Sequence, residues 1–90
     1  MLFLTKWTVL PGKRDEAVKR FMETGAPPPT GVKMLGRWHT LGELGGITMA
    51  SADDATSLYG WMYQWSDLLE FTVVPVIEDA DAAQILSQQK

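Results

Sequence analysis

Histidine is the side chain that most readily exchanges a proton near neutral pH, and the chain has a single one, His39. It follows Arg37 at the predicted end of a strand, and strand-to-loop junctions commonly carry functional sites. In a catalytic interpretation, His39 is a general acid or base and Arg37 holds an anionic substrate. In a structural interpretation, both side chains cap loop carbonyls and pair with Asp67 or Glu43. The residue types leave both interpretations open.

Four tryptophans are many for a chain of 90 residues. Aromatic side chains line pockets for flat ligands, but they also fill the cores of small domains. Trp61 and Trp65 lie on a predicted helix face that must be buried, which favours core packing for these two. If the chain has a ligand site, we expect Trp7, Trp38, Trp65 and Asp67 to contact the ligand.

Other chemistries find little support in the sequence. Ser66, Asp67 and His39 could be combined into a hydrolytic triad, but no glycine frame of a nucleophile elbow surrounds Ser66. A single histidine without cysteines offers no metal-ligand spacing. The glycine-rich segment 42–46 joins two predicted strands and opens no helix, so it is not a phosphate-binding loop. We therefore expect neither a metal nor a cofactor.

The composition narrows the classes of protein further. Lys and Arg total 8, Asp and Glu total 11, and the formal net charge is −3. Basic residues of segment 13–20 alternate with acidic ones, so there is no basic stripe for nucleic acid. No apolar run is long enough to span a membrane. The lack of cysteine favours a reducing compartment, and we expect a cytoplasmic protein.

The pattern of apolar residues predicts seven elements. They are a strand (2–10), a helix (13–24), a strand (32–40), a strand near 47–50, a helix from 55 to 65, a strand (71–77) and a short last helix. This order predicts a single α+β domain over residues 1–90. Its fold would be ferredoxin-like βαββαβ, an antiparallel sheet with two helices on one face and a C-terminal helix.

Individual residues predict details of this fold. Gly25 is placed to end the first helix in a left-handed conformation. Ser51 or Asp53 is the expected N-cap of the second helix. Pro75 favours an edge position for the last strand, because proline cannot donate to a neighbouring strand. The last helix is expected to begin at Asp79 or Asp81; its apolar positions, expected to be buried, are Ala82, Ile85 and Leu86.

Strict alternation divides the second strand between two faces. It places Val32, Met34, Gly36 and Trp38 on one face and Lys33, Leu35, Arg37 and His39 on the other. The two long helices can cover only one side of the sheet, yet apolar residues occur on both sides, among them Leu2, Leu4, Leu35, Val74 and Val76. An uncovered apolar sheet face commonly marks a contact surface, so we expect a homodimer.

The segments Gly36-Arg37-Trp38-His39 and Gln64-Trp65-Ser66-Asp67-Leu68 resemble those of a family of short bacterial proteins known only as a domain of unknown function. The stretch from Glu23 to Pro29 resembles the same family, and the similarity extends over nearly the whole chain. The resemblance implies the dimeric α+β barrel fold. That superfamily includes cofactor-free monooxygenases, haem-degrading enzymes, isomerase-like enzymes and members without a demonstrated activity, so it implies no particular reaction.

Our leading hypothesis from the sequence is a homodimer that binds a small molecule. The pocket would lie between the helix 55–65 and the sheet, near Trp38, His39 and Trp65. One alternative is a cofactor-independent monooxygenase- or isomerase-like enzyme that uses His39 and Arg37 in the same pocket. Another is a structural homodimer without a ligand.

Overall fold

The computed structural model describes residues 1–89, which form four strands and three helices. In chain order they are β1 (Leu2–Val9), α1 (Arg14–Thr24), β2 (Val32–His39), β3 (Gly45–Ala52), α2 (Ala55–Gln64), β4 (Leu69–Val76) and α3 (Asp79–Ser87). The predicted order of elements is confirmed. Strand β3 is longer than expected, because the glycines at its start pair with β1 and β2.

The four strands form one sheet in the order β2-β3-β1-β4, and all neighbours are antiparallel. This is the ferredoxin-like arrangement that the sequence predicts. Strand β4 lies at an edge of the sheet, as Pro75 indicates. We call the side of the sheet that faces α1 and α2 the inner face, and the opposite side the outer face.

The hydrophobic core lies between the inner face and the two long helices. Its buried members come from β1, β2 and β3, from both helices and from the turn after α2: Phe3, Ala17, Val32, Ala50, Ala52, Leu58, Trp61, Trp65 and Leu68. Trp61 and Trp65 are therefore core residues, as their helix position indicates. The small residues of β3 allow these two bulky side chains to approach the sheet.

Strand β2 contains an irregularity between Met34 and Gly36, where the register with β3 shifts by one residue. A bulge of this kind adds one residue to a strand, so every later side chain moves to the opposite face. Arg37 and His39 consequently share the inner face with Met34, while Trp38 lies on the outer face. The face assignment from strict alternation is therefore wrong beyond Leu35.

The ends of the helices agree only in part with the sequence expectations. Gly25 ends α1 with a φ of 72°, and its N–H donates to the carbonyl of Phe21 at 2.7 Å, as predicted. Helix α2 is capped by Asp54, whose carboxylate accepts from the N–H of Ser57 at 2.9 Å. The expected caps, Ser51 and Asp53, are wrong, since β3 extends to Ala52 and delays the start of the helix.

Helix α3 begins at Asp79, and no residue of this helix is buried. Ile85 and Leu86 are 56% and 67% exposed, so the expectation that they are buried is wrong for the isolated protomer. Helices α1 and α2 pack against the inner face and leave the outer face without cover from either of them. None of the helices in the described part of the chain is long and apolar enough to cross a membrane.

Candidate functional site

A cavity of about 290 Å³ lies between the inner face of the sheet and helices α1 and α2. Its walls are side chains of the two helices, among them Phe21 of α1 and Met62 of α2. Thr40, Glu43 and Leu44 of the β2–β3 loop line one end. Glu43 and Leu44 are exposed, so this end opens towards solvent.

Two rows of inward-facing residues cross the sheet beneath the cavity, and all of them line it except Gly46 and Val73. The first row, which we call the aromatic row, is His39, Gly46, Trp7 and Phe71, one from each strand. The rings of His39 and Trp7 meet above Gly46 with centroids 5.1 Å apart and planes at 86°. A Cβ at Gly46 would lie 2.8 Å from Cε2 of Trp7, so this contact requires glycine.

The second row, next to the first, is Arg37, Thr48, Thr5 and Val73. Thr5 and Thr48 are buried threonines paired across β1 and β3, and both line the cavity. Thr5 is 1% exposed, and its hydroxyl has no hydrogen-bond partner among residues 1–89. The buried indole Nε1 of Trp7, the next inward-facing residue of β1, also lacks a hydrogen-bond partner among these residues.

Arg37 reaches from the sheet to the end of helix α1. Its Nη1 and Nη2 donate to the carbonyls of Ala26 and Gly25, each at 2.9 Å, and its guanidinium lies 4.9 Å from the ring centre of Phe21. Partial burial lowers the pKa of Arg37, because desolvation disfavours the charged form. These bonds to loop carbonyls are those that the structural interpretation of Arg37 anticipates.

His39 lies at the open end of the cavity, at the last position of β2. Its ring contacts Trp7 and also Phe21, with a centroid distance of 5.6 Å to the latter. Exposed on one side and packed against two aromatic rings on the other, it can contact both a ligand and solvent. Its catalytic role stays a prediction.

Two of the candidate ligand contacts lie elsewhere. Asp67 forms a two-fold hydrogen bond with Arg20, at 2.9 and 2.7 Å, and this pair joins α1 to the turn after α2. The hydrogen bonds of Arg20 hold the pKa of Asp67 below its ordinary value. Trp38 lies on the outer face and is 58% exposed. Its ring packs against Gly36, where a Cβ would collide with it. Neither Asp67 nor Trp38 lines the cavity.

The structure thus brings Trp7, Arg37, His39 and Trp65 together around one cavity. Sequence reasoning missed several other lining residues, including Thr5, Thr48, Phe21, Met62 and Phe71. A signal for the threonines was present: polar residues at inward positions of β1 and β3, between apolar ones, are unusual for a core. The others could be recognised only once the pairing of the strands was known.

The lining of the cavity is suited to binding an apolar molecule. Most lining residues are aromatic or aliphatic, and Arg37 is hydrogen-bonded to backbone carbonyls. Within residues 1–89, no three His, Asp or Glu side chains are close enough together to hold a metal ion. A flat, mainly apolar molecule would find aromatic rings on the floor and walls.

The model of a family described as "Domain of unknown function (DUF3303)" matches residues 1–90. The crystal structure of an uncharacterized NIPSNAP domain protein from Burkholderia xenovorans is similar with a TM-score of 0.49 and 14% identity, over 88% of this chain and 97% of that chain. No curated protein matches. These similarities carry no information on a ligand or a reaction.

Proposed function

The chain belongs to the DUF3303 family of unknown function, and we propose that it binds a small, mainly apolar molecule in the cavity between the inner face and helices α1 and α2. The observation that carries this proposal is the cavity of about 290 Å³ above the aromatic row. Small-molecule sites commonly measure roughly 300–1,000 Å³, so this cavity fits a compact ligand of one or two rings.

The lining of the cavity favours an apolar occupant. Most lining residues are aromatic or aliphatic, and the end at the β2–β3 loop opens towards solvent. In the free protein, water covers the apolar surface of such an open pocket. A ligand that displaces this water gains roughly 25 cal/mol per Å² of apolar surface buried.

Ligand-observed NMR tests the proposal with tetralin, 1-tetralone and indole as probes. The Met62→Trp variant places an indole ring in the wall of the cavity. The Tyr63→Trp variant places the same ring on the exposed side of α2. We expect at least one probe to bind the unmodified protein and Tyr63→Trp, and to lose binding in Met62→Trp. Binding of no probe, or equal binding to both variants, would contradict a ligand site in the cavity.

We also propose that the protein is a homodimer that joins through its outer faces. Two cross-strand apolar pairs, Leu2 with Val76 and Leu4 with Val74, lie on this face, and α1 and α2 pack on the opposite one. A small domain gains stability when such a face is covered. A second copy of the chain presents the same apolar face about a two-fold axis.

Light scattering at micromolar concentration tests the assembly. The double variant Leu4→Glu, Val74→Glu should convert the dimer to a folded monomer, because it places two negative charges in the centre of the proposed interface. The rings of Tyr59 and Tyr63 stack on the exposed side of α2. The double variant Tyr59→Glu, Tyr63→Glu adds the same charge there and should leave the dimer intact. An unmodified protein with the mass of a monomer would refute the proposal.

A further inference from the structure

Helix α3 lies outside the hydrophobic core and has an apolar side that is exposed in the protomer. None of its residues is buried, and its two largest apolar side chains, Ile85 and Leu86, are 56% and 67% exposed. They follow Ala82 by three and four residues, which places all three side chains on one side of the helix. Gln84 and Ser87 lie on the opposite side. A short amphipathic helix owes most of its stability to the packing of its apolar side, so α3 requires a surface to pack on.

An open groove lies at the end of the outer face where α3 begins. Four of its lining residues form a cross-strand row of the sheet, one from each strand: Lys33, Ser51, Leu2 and Val76. Leu35 also lines the groove and is 50% exposed. Asp81 of α3 is a further lining residue, so the helix begins beside the groove and leaves it open. Apolar residues bordered by charged ones are typical of surfaces that bind another protein.

The protomer exposes more surface than a compact domain of its mass. Its accessible surface is 6467 Å², whereas a folded monomer of 10.0 kDa is expected to expose about 5,200 Å². Its radius of gyration is 15.2 Å, against about 12 Å for a compact chain of this length. The excess surface, about 1,200 Å², is larger than the roughly 800 Å² that each partner buries in a stable complex. A partner subunit can therefore cover it.

From these surfaces we infer that α3 is an arm that packs its apolar side into the outer-face groove of a second copy of the chain. The second copy places its own α3 in the groove of the first in the same way. The inference rests on the proposed homodimer and adds the element that holds the two copies together. Leu2 and Val76 belong both to the groove and to the apolar pairs of the proposed interface, so the two contacts form one continuous surface.

A second copy of the chain matches both the helix and the groove. Each copy carries one exposed apolar helix and one open apolar groove, so an exchange about a two-fold axis covers both surfaces of both copies. The charges are complementary as well. Glu78, Asp79 and Asp81 make the start of α3 negative, whereas Lys33 in the groove is positive. Opposite charges across an interface favour the correct pairing of the two surfaces.

Analytical ultracentrifugation of two double variants of α3 tests the role of its apolar side. Ile85→Glu, Leu86→Glu places two charges on the apolar side, whereas Gln84→Glu, Ser87→Glu places two charges on the opposite side of the same last turn. Any effect of the added charge on the helix itself is therefore shared by both proteins. We expect the dissociation constant of the dimer to rise at least tenfold in the first variant, because two apolar side chains leave the interface. The second variant should keep the dissociation constant of the unmodified protein.

A paramagnetic label shows where the arm lies. The chain contains no cysteine, so a Gln84→Cys variant accepts a single nitroxide label on the polar side of α3. This labelled protein is refolded together with nitrogen-15 protein that carries no nitroxide, so that only a contact between two copies broadens the observed amide signals. We expect strong broadening at residues 33–35 of the outer face. The signals of Tyr59 and Tyr63, on the exposed side of α2, should keep their intensity.

The outcomes separate this inference from the proposed homodimer. If the unmodified protein is a monomer, the homodimer is wrong and the exchange of α3 is wrong with it. If the protein is a dimer whose dissociation constant changes in neither double variant, or equally in both, the homodimer stands and the exchange of α3 is overturned. Broadening at residues 33–35 only when the nitroxide and nitrogen-15 are in the same chain would place the arm on its own sheet, and would also overturn the exchange.

Discussion

Replacement of Gly46 by alanine should disrupt the floor of the cavity. A Cβ at this position would lie 2.8 Å from Cε2 of Trp7, and still closer to Cζ2 of the same ring and to the carbonyl oxygen of Trp38. The carbonyl belongs to the backbone of β2, which is paired with β3 at this position, so it cannot move without a change in the sheet. The indole of Trp7 must then turn away from the contact with His39 that the glycine permits.

The magnitude of this effect can be estimated from similar overpacked sites. Insertion of a methyl group into a well-packed region costs about 1–3 kcal/mol. For a domain of this size, 1 kcal/mol corresponds to roughly 4–8 °C in Tm. Gly60 is the matched control, because a Cβ there meets nothing within 4 Å and the residue lies inside helix α2. Gly60→Ala should raise the stability by about 0.5–1 kcal/mol.

Urea unfolding followed by tryptophan fluorescence measures both variants. We expect the midpoint urea concentration to shift in opposite directions, lower for Gly46→Ala and higher for Gly60→Ala. It also predicts weaker probe binding in Gly46→Ala only. A Gly46→Ala protein as stable as the unmodified chain, with the same probe affinity, would show that the contact of Trp7 over Gly46 is not needed and would refute this reasoning.

Two further predictions concern charged residues. Hydrogen bonds hold the pKa values of Asp54 and Asp67 below their ordinary value of 3.8, so these carboxylates stabilise the fold above that pH and lose this effect as the pH falls through their lowered values. Thermal unfolding should therefore show a Tm that decreases below about pH 4. The decrease should be smaller in the Asp54→Asn, Asp67→Asn double variant. An equal decrease of Tm in both proteins would contradict this assignment. Arg37→Ala should lower the Tm by about 5 °C, because it removes two bonds to the end of α1. NMR should show the amide signals of residues 25–27 shifted, and unchanged signals there would refute that role.

The sequence was a good guide to the fold where a single residue dictates a local conformation. Gly25 ends α1 because glycine accepts a positive φ, and Pro75 lies in an edge strand because it cannot donate. The N-cap of α2 was missed because Ser51, Asp53 and Asp54 are all good caps, and the pairing of β3 decides among them. The exposure of α3 could not be foreseen either, because an amphipathic pattern does not show where a helix packs.

The candidate site was predicted less completely, and the bulge in β2 explains most of the difference. Alternation assigns faces correctly only while the register is regular, and the irregularity between Met34 and Gly36 depends on the pairing with β3. It moves Arg37 and His39 to the cavity and Trp38 away from it. The partner of Asp67 was also unpredictable, because Arg20 is 47 residues away in the sequence.

The most direct test of the central claim follows the indole N–H signals of the four tryptophans by NMR during titration with 1-tetralone. The indole of Trp7 lines the floor of the cavity, whereas that of Trp38 lies on the outer face. The account predicts a saturable shift of the Trp7 signal, with the Trp38 signal unchanged. A titration in which no indole signal moves, or in which Trp38 moves and Trp7 does not, would contradict a ligand site in this cavity.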